Sequence, residues 1–151
     1  MKKVVVVLVV SLSGLALTAC GAAPDPTPTA QAASEVAVPE PGLTQTKDEA
    51  AVTVMVTPLN LDNRSAATLD FEIALNTHSV ELAYDMLSIS ALRSDTGQET
   101  QPVAWDGPPG GGHHVSGTLS FPQLNERSQS VTLILRGIAD VPARTFEWEV
   151  K

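Results

Sequence analysis

Three observations in the amino-acid sequence predict an all-β sandwich. From Val52 onward apolar residues recur at every second position in several short runs, the period of a half-buried strand. Gly, Pro, Asn and Asp gather between these runs, where turns are needed. No stretch beyond residue 50 sustains a helical repeat over 10 to 12 residues, although residues 80–92 could hold a turn or two. Seven such strands in about 100 residues give an immunoglobulin-like antiparallel β-sandwich, with a small barrel as the nearest alternative. The Cys…Trp…Cys signature of antibody domains is absent, so the likeness is architectural. A signal peptide and a disordered linker are expected to precede the domain.

In chain order, the first twenty residues read as a secretory signal: Lys2 and Lys3, then an apolar run from Val4, then small residues up to Cys20. Residues 4–19 would rise only about 24 Å as a helix, short of the roughly 30 Å hydrocarbon core of a bilayer. A permanent transmembrane helix is therefore the weaker reading.

Leu17-Thr18-Ala19-Cys20, followed by Gly21, resembles the lipobox of bacterial lipoproteins. Membership of that group implies cleavage before Cys20, a diacylglycerol on its sulfur and an acyl chain such as palmitate on its amine. It also implies location in the cell envelope, held to a membrane and facing its extracytoplasmic side. Burial contributes about 0.8 kcal/mol per CH₂, and two or more chains anchor stably where one does not.

Residues 21–50 carry Pro24, Pro26, Pro28, Pro39 and Pro41 among Ala, Thr, Gln, Ser and Glu, without an aromatic residue. That is the composition of a disordered tether, able to reach on the order of 90 Å when extended. The domain is placed at residues 51–151. Its expected strands are 52–57, with Val52, Val54 and Val56 inward, and 69–76, with Leu69, Phe71, Ile73 and Leu75 inward. Next come 86–93, with Leu87, Ile89 and Ala91 on one face, and 99–105, with Val103 and Trp105. The last three are 115–121 with Leu119 and Phe121, 130–137 with Val131, Leu133 and Leu135, and 144–150 with Phe146, Trp148 and Val150.

The 151 residues are 43% hydrophobic, enough for one core, and 9 basic side chains face 17 acidic ones for a net charge of −8. Loss of residues 1–20 removes Lys2 and Lys3 and leaves 7 basic against 17 acidic side chains, about −10. Nucleic acid is excluded as a partner, because binding there depends on Lys and Arg neutralising phosphates. With one cysteine, the domain has neither a disulfide nor a Cys-based zinc cluster.

If consecutive strands alternate in direction, the loops after strands two, four and six share one end of the sandwich. That brings together residues 76–85, 106–114 and 139–142, and with them His78, His113 and His114 near Asp85, Asp106 and Asp140. Imidazoles with a carboxylate suit copper or zinc, so His78, His113, His114, Asp85 and Asp106 form a possible transition-metal site. Adjacent histidines on a strand point to opposite faces, so only one of His113 and His114 would serve it. Calcium on Glu81, Asp85, Asp106 and Asp140 is an alternative. The structural reading is that the histidines pin loops through hydrogen bonds, with Asp85 and Asp106 as turn or cap residues.

The segments around residues 76–82 (NTHSVEL) and 105–114 (WDGPPGGGHH) resemble an extracytoplasmic Ig-like domain of prokaryotic lipoproteins and secreted proteins, over residues 69–121. The resemblance implies no chemistry and assigns no residue a role. Catalysis is not expected: Ser116 lacks a G-x-S-x-G elbow, and the Gly-rich loop lacks the G-K-[ST] ending of a phosphate cradle. The function expected from these features is a lipid-anchored binding module, with copper or zinc on its loop histidines as one reading; the alternative is a protein-interaction or structural module of the envelope without metal.

Overall fold

The structure is a computed structural model that describes residues 42–124 and 128–151. The expected signal peptide, Cys20 and the expected tether up to residue 41 lie outside the described residues. Two antiparallel sheets pack face to face as an immunoglobulin-like β-sandwich.

The strands are β1 (Gln45–Glu49), β2 (Val52–Pro58), β3 (Thr68–Thr77), β4 (Ser90–Ser94), β5 (Glu99–Thr100), β6 (Ala104–Asp106), β7 (His114–Pro122), β8 (Ser130–Arg136) and β9 (Ala143–Glu149). One sheet runs β1-β2-β3-β7-β6 and the other β5-β4-β8-β9. A single helical turn, α1 (Met86–Ile89), precedes β4, and a 3₁₀ turn (Ile138–Asp140) joins β8 to β9.

The two-residue period decides which side chains enter the core. Val52, Val54 and Val56 of β2, Leu69, Phe71, Ile73 and Leu75 of β3, and Val131, Leu133 and Leu135 of β8 are all buried, as the alternation predicts. The sheets meet through aromatic rings. Phe71 packs edge-on to Phe121 at 5.9 Å and reaches across to Trp148 of the opposite sheet at 5.4 Å, while Phe146 stacks on Trp148 at 6.4 Å.

Three expectations are corrected. Gln45–Glu49, assigned to the tether, is a strand, with Gln45 paired to Val56 and Glu49 to Val52. Its QTKDE sequence carries no apolar alternation because it is a sheet edge whose inward positions, Gln45 and Lys47, are only half-buried. Residues 86–93 are not one strand: the Asp85 carboxylate caps α1 by accepting from the Leu87 N–H at 3.1 Å, and the sheet begins only at Ser90. Leu87, expected inward, is 40% exposed. Residues 99–105 divide between the two sheets as β5 and β6, with Pro102 in the connection, where a ring without an N–H interrupts pairing.

The strand directions give the sandwich two distinct ends. Chain arriving at Leu43, the turn at 59–67, residues 123–124 and 128–129, and the C-terminal residues share one end, the tether pole. The β1–β2 turn, residues 78–85, residues 107–113 and residues 137–142 share the other, the loop pole.

Candidate functional site at the loop pole

The three loops expected to converge do so. The Leu82 N–H donates to the Gly112 carbonyl at 3.1 Å, the Gly111 N–H donates to the Leu82 carbonyl at 2.9 Å, and the Gly112 N–H donates to Glu81 Oε1 at 2.8 Å. Gly110, Gly111 and Gly112 have φ of +105°, +106° and +79°, conformations that a side chain would resist, and this lets residues 107–113 lie against residues 81–84. Tyr84 reaches the third loop, its hydroxyl accepting from the Ala139 N–H at 2.9 Å.

Trp105 fixes the start of the Gly/Pro loop. Its indole N–H donates to the Pro108 carbonyl at 2.9 Å, and its ring covers Gly107 and Gly117 so closely that a Cβ would fall 2.4 Å from the indole at Gly107 and 2.8 Å from it at Gly117.

Beneath these loops lies a buried cation. Arg144 alternates with Phe146 and Trp148 on the inner face of β9 and is fully buried. One guanidinium nitrogen donates to the Ile138 carbonyl and another to the Glu49 carbonyl, each at 2.7 Å. Each of those carbonyls precedes a pair of non-glycine residues held at positive φ: Ala50 and Ala51 (50° and 62°) after Glu49, and Ala139 and Asp140 (50° and 61°) after Ile138. The Thr77 hydroxyl adds a bond to the Ala51 carbonyl at 2.7 Å and accepts from the Ser79 and Val80 N–H groups at 3.3 Å. The pole is thus a preorganised, strained scaffold. Sequence reasoning missed Arg144; the signal available was a charged residue in phase with Phe146 and Trp148.

The proposed metal ligands divide. His78 and His114 line one open cleft of ≈ 320 Å³, together with Asp48, Asn76 and Ser79. The His114 ring donates through Nδ1 to the Asn76 amide oxygen at 2.8 Å, which turns Nε2 outward. His113 is exposed and serves the fold through its backbone, its carbonyl accepting from the Thr77 N–H at 3.0 Å. Asp85 is committed to its cap, Glu81 to Gly112, and Asp106 lies exposed in β6. Among the described residues, no three His, Cys, Asp or Glu side chains stand close enough together to hold a metal ion. His114 and Asp85 therefore act as loop-pinning and capping groups, whatever else they do.

Comparison with protein-family models, curated proteins and solved structures finds no match for this chain.

Proposed function

We propose that this chain is a lipid-anchored, extracytoplasmic β-sandwich that binds a basic partner protein of the cell envelope through its loop pole. The lipobox at Leu17-Thr18-Ala19-Cys20 supports the anchor, with Cys20 as the acylated residue. The observation that carries the binding role is the placement of strain: among the described residues, all four non-glycine positive-φ positions lie at the loop pole. Such strain persists where surrounding structure over-determines it, as at ligand-holding surfaces. The described chain enters the domain near Leu43, at the pole opposite these loops. Their exposed carboxylates, Asp48, Glu49, Asp106 and Asp140 with Glu81 and Asp85, favour a cationic surface.

The test has two arms. Cys20→Ser should abolish the acyl mass increment and move the protein from the membrane fraction to the soluble one; unchanged fractionation overturns the anchor. Capture of an envelope partner by the purified chain should weaken with salt and fail in Glu81→Lys/Asp140→Lys, yet survive replacement of all three histidines by alanine. Capture indifferent to the charge reversals overturns the binding face.

A second reading, copper or zinc on His78 and His114, is favoured by their sharing one cleft. Calorimetry showing uptake near stoichiometry, lost in His78→Ala, would establish it.

A further inference from the structure

Residues 43–49 form an arm laid against the body of the domain. β1 pairs with β2 from Gln45 opposite Val56 to Glu49 opposite Val52. The Leu43 carbonyl accepts from the Trp148 indole N–H and the Glu49 carbonyl from Arg144, each at 2.7 Å, while Lys47 lies over the Phe146 ring at 5.9 Å. The Leu43 side chain packs against the core. None of these contacts depends on which copy of the chain supplies the arm.

Strain sits where the arm joins the body. Only Ala50 and Ala51 separate β1 from β2, and they are held at φ of 50° and 62°. Extended backbone is open to any L-residue, so straightening this hinge relieves both alanines. The bonds that flank the hinge survive the change. The Thr77 hydroxyl holds the Ala51 carbonyl on the body side and Arg144 holds the Glu49 carbonyl on the arm side, so the chain opens at Ala50 with both bonds intact in the product.

We infer that this chain forms a dimer by exchanging the arm, β1 of each copy pairing with β2 of the other. Every contact of the arm in the monomer recurs in the dimer, so those contacts cancel. What remains is relief of both hinges set against the entropy of association. Short hinges under strain favour such exchange. The register needs no shift: continued through a straightened hinge, the β1–β2 pairing sets Ala50 opposite the second copy's Ala51, where small side chains let the two strands approach. The QTKDE strand also suits release, since it bares no apolar run while it moves between copies. The proposal does not rest on the partner-binding reading of the loop pole, whose charge reversals at Glu81 and Asp140 alter no residue of the arm.

The test uses the full chain with Cys20→Ser, so that only introduced thiols pair, together with Thr46→Cys and Met55→Cys, which are cross-strand partners on the outer face. Held reduced at millimolar concentration, it is warmed into the start of its melting transition, cooled, separated by size and oxidised. Light scattering should find monomer and dimer. On a non-reducing denaturing gel the dimer fraction should run as a covalent dimer and the monomer fraction as single chains. Ala50→Asn/Ala51→Gly, a pair at ease with positive φ, should weaken dimerisation by about tenfold or more. Ala51→Pro, fixed near a φ of about −65°, should strengthen it by a similar factor. A chain that stays monomeric overturns the proposal, as does a dimer whose disulfides close within single chains. Dimerisation undiminished in Ala50→Asn/Ala51→Gly overturns it too, and that variant, which relaxes the monomer, decides the matter if Ala51→Pro does not fold.

Discussion

Ala50 and Ala51 form a two-residue hairpin turn with both φ values positive, a geometry in which Asn-Gly or Gly-Gly is usual. Each L-residue held there costs about 1 kcal/mol or more. The turn survives because its neighbours hold it, Arg144 on the Glu49 carbonyl before it and Thr77 on the Ala51 carbonyl within it. Ala51→Gly should therefore stabilise the domain by about 1 kcal/mol, raising the melting temperature by roughly 5 °C in a thermal melt. Gly117 carries the opposite expectation. A Cβ there would meet the Asp106 carbonyl at 2.5 Å as well as the Trp105 ring. Gly117→Ala should destabilise by about 1–3 kcal/mol in urea titration, through displacement of β6 or of the indole.

Among the elements, the long inward-facing strands were legible and the edges were not. β2, β3 and β8 have a valine, isoleucine, leucine or phenylalanine at each inward position except Pro58 and Thr77 at the ends of β2 and β3, so a period of two announces them. β1 announces nothing because its role is to close a seam rather than to fill a core. Across that seam the Trp148 indole N–H donates to the Leu43 carbonyl at 2.7 Å, Arg144 donates to the Glu49 carbonyl, and Lys47 lies over the Phe146 ring at 5.9 Å. None of these contacts follows a local sequence pattern, since the partners stand about 100 residues apart. The Ala-Ala turn hid the hairpin further, lacking the usual turn residues. The convergence of loops at one pole could be read from strand alternation alone; the hydrogen bonds that employ Asp85, Glu81 and His114 there could not. A chain beginning at Ala51 loses β1 and leaves buried donors of Arg144 and Trp148 without acceptors, at about 1–3 kcal/mol each. It should be less stable than a chain beginning at Gly42 by about 3 kcal/mol or more in chemical denaturation.

For the whole molecule, one core serves two poles. Phe71 and Trp148 span the gap between the sheets in direct contact, so truncating either removes packing that the other depends on. Phe71→Ala and Trp148→Ala should each cost about 3–5 kcal/mol. Their double-mutant cycle should show a coupling of at least about 0.5 kcal/mol, measured with milder Phe71→Leu and Trp148→Phe if the alanine variants fail to fold. Ala51 at the loop pole and Ser128 at the tether pole share no partner, so Ala51→Gly and Ser128→Ala should add within about 0.5 kcal/mol. That contrast separates stability, which the interior distributes over the domain, from surface chemistry, which each pole sets for itself. If the Ala51–Ser128 pair instead coupled strongly, the poles would not be independent.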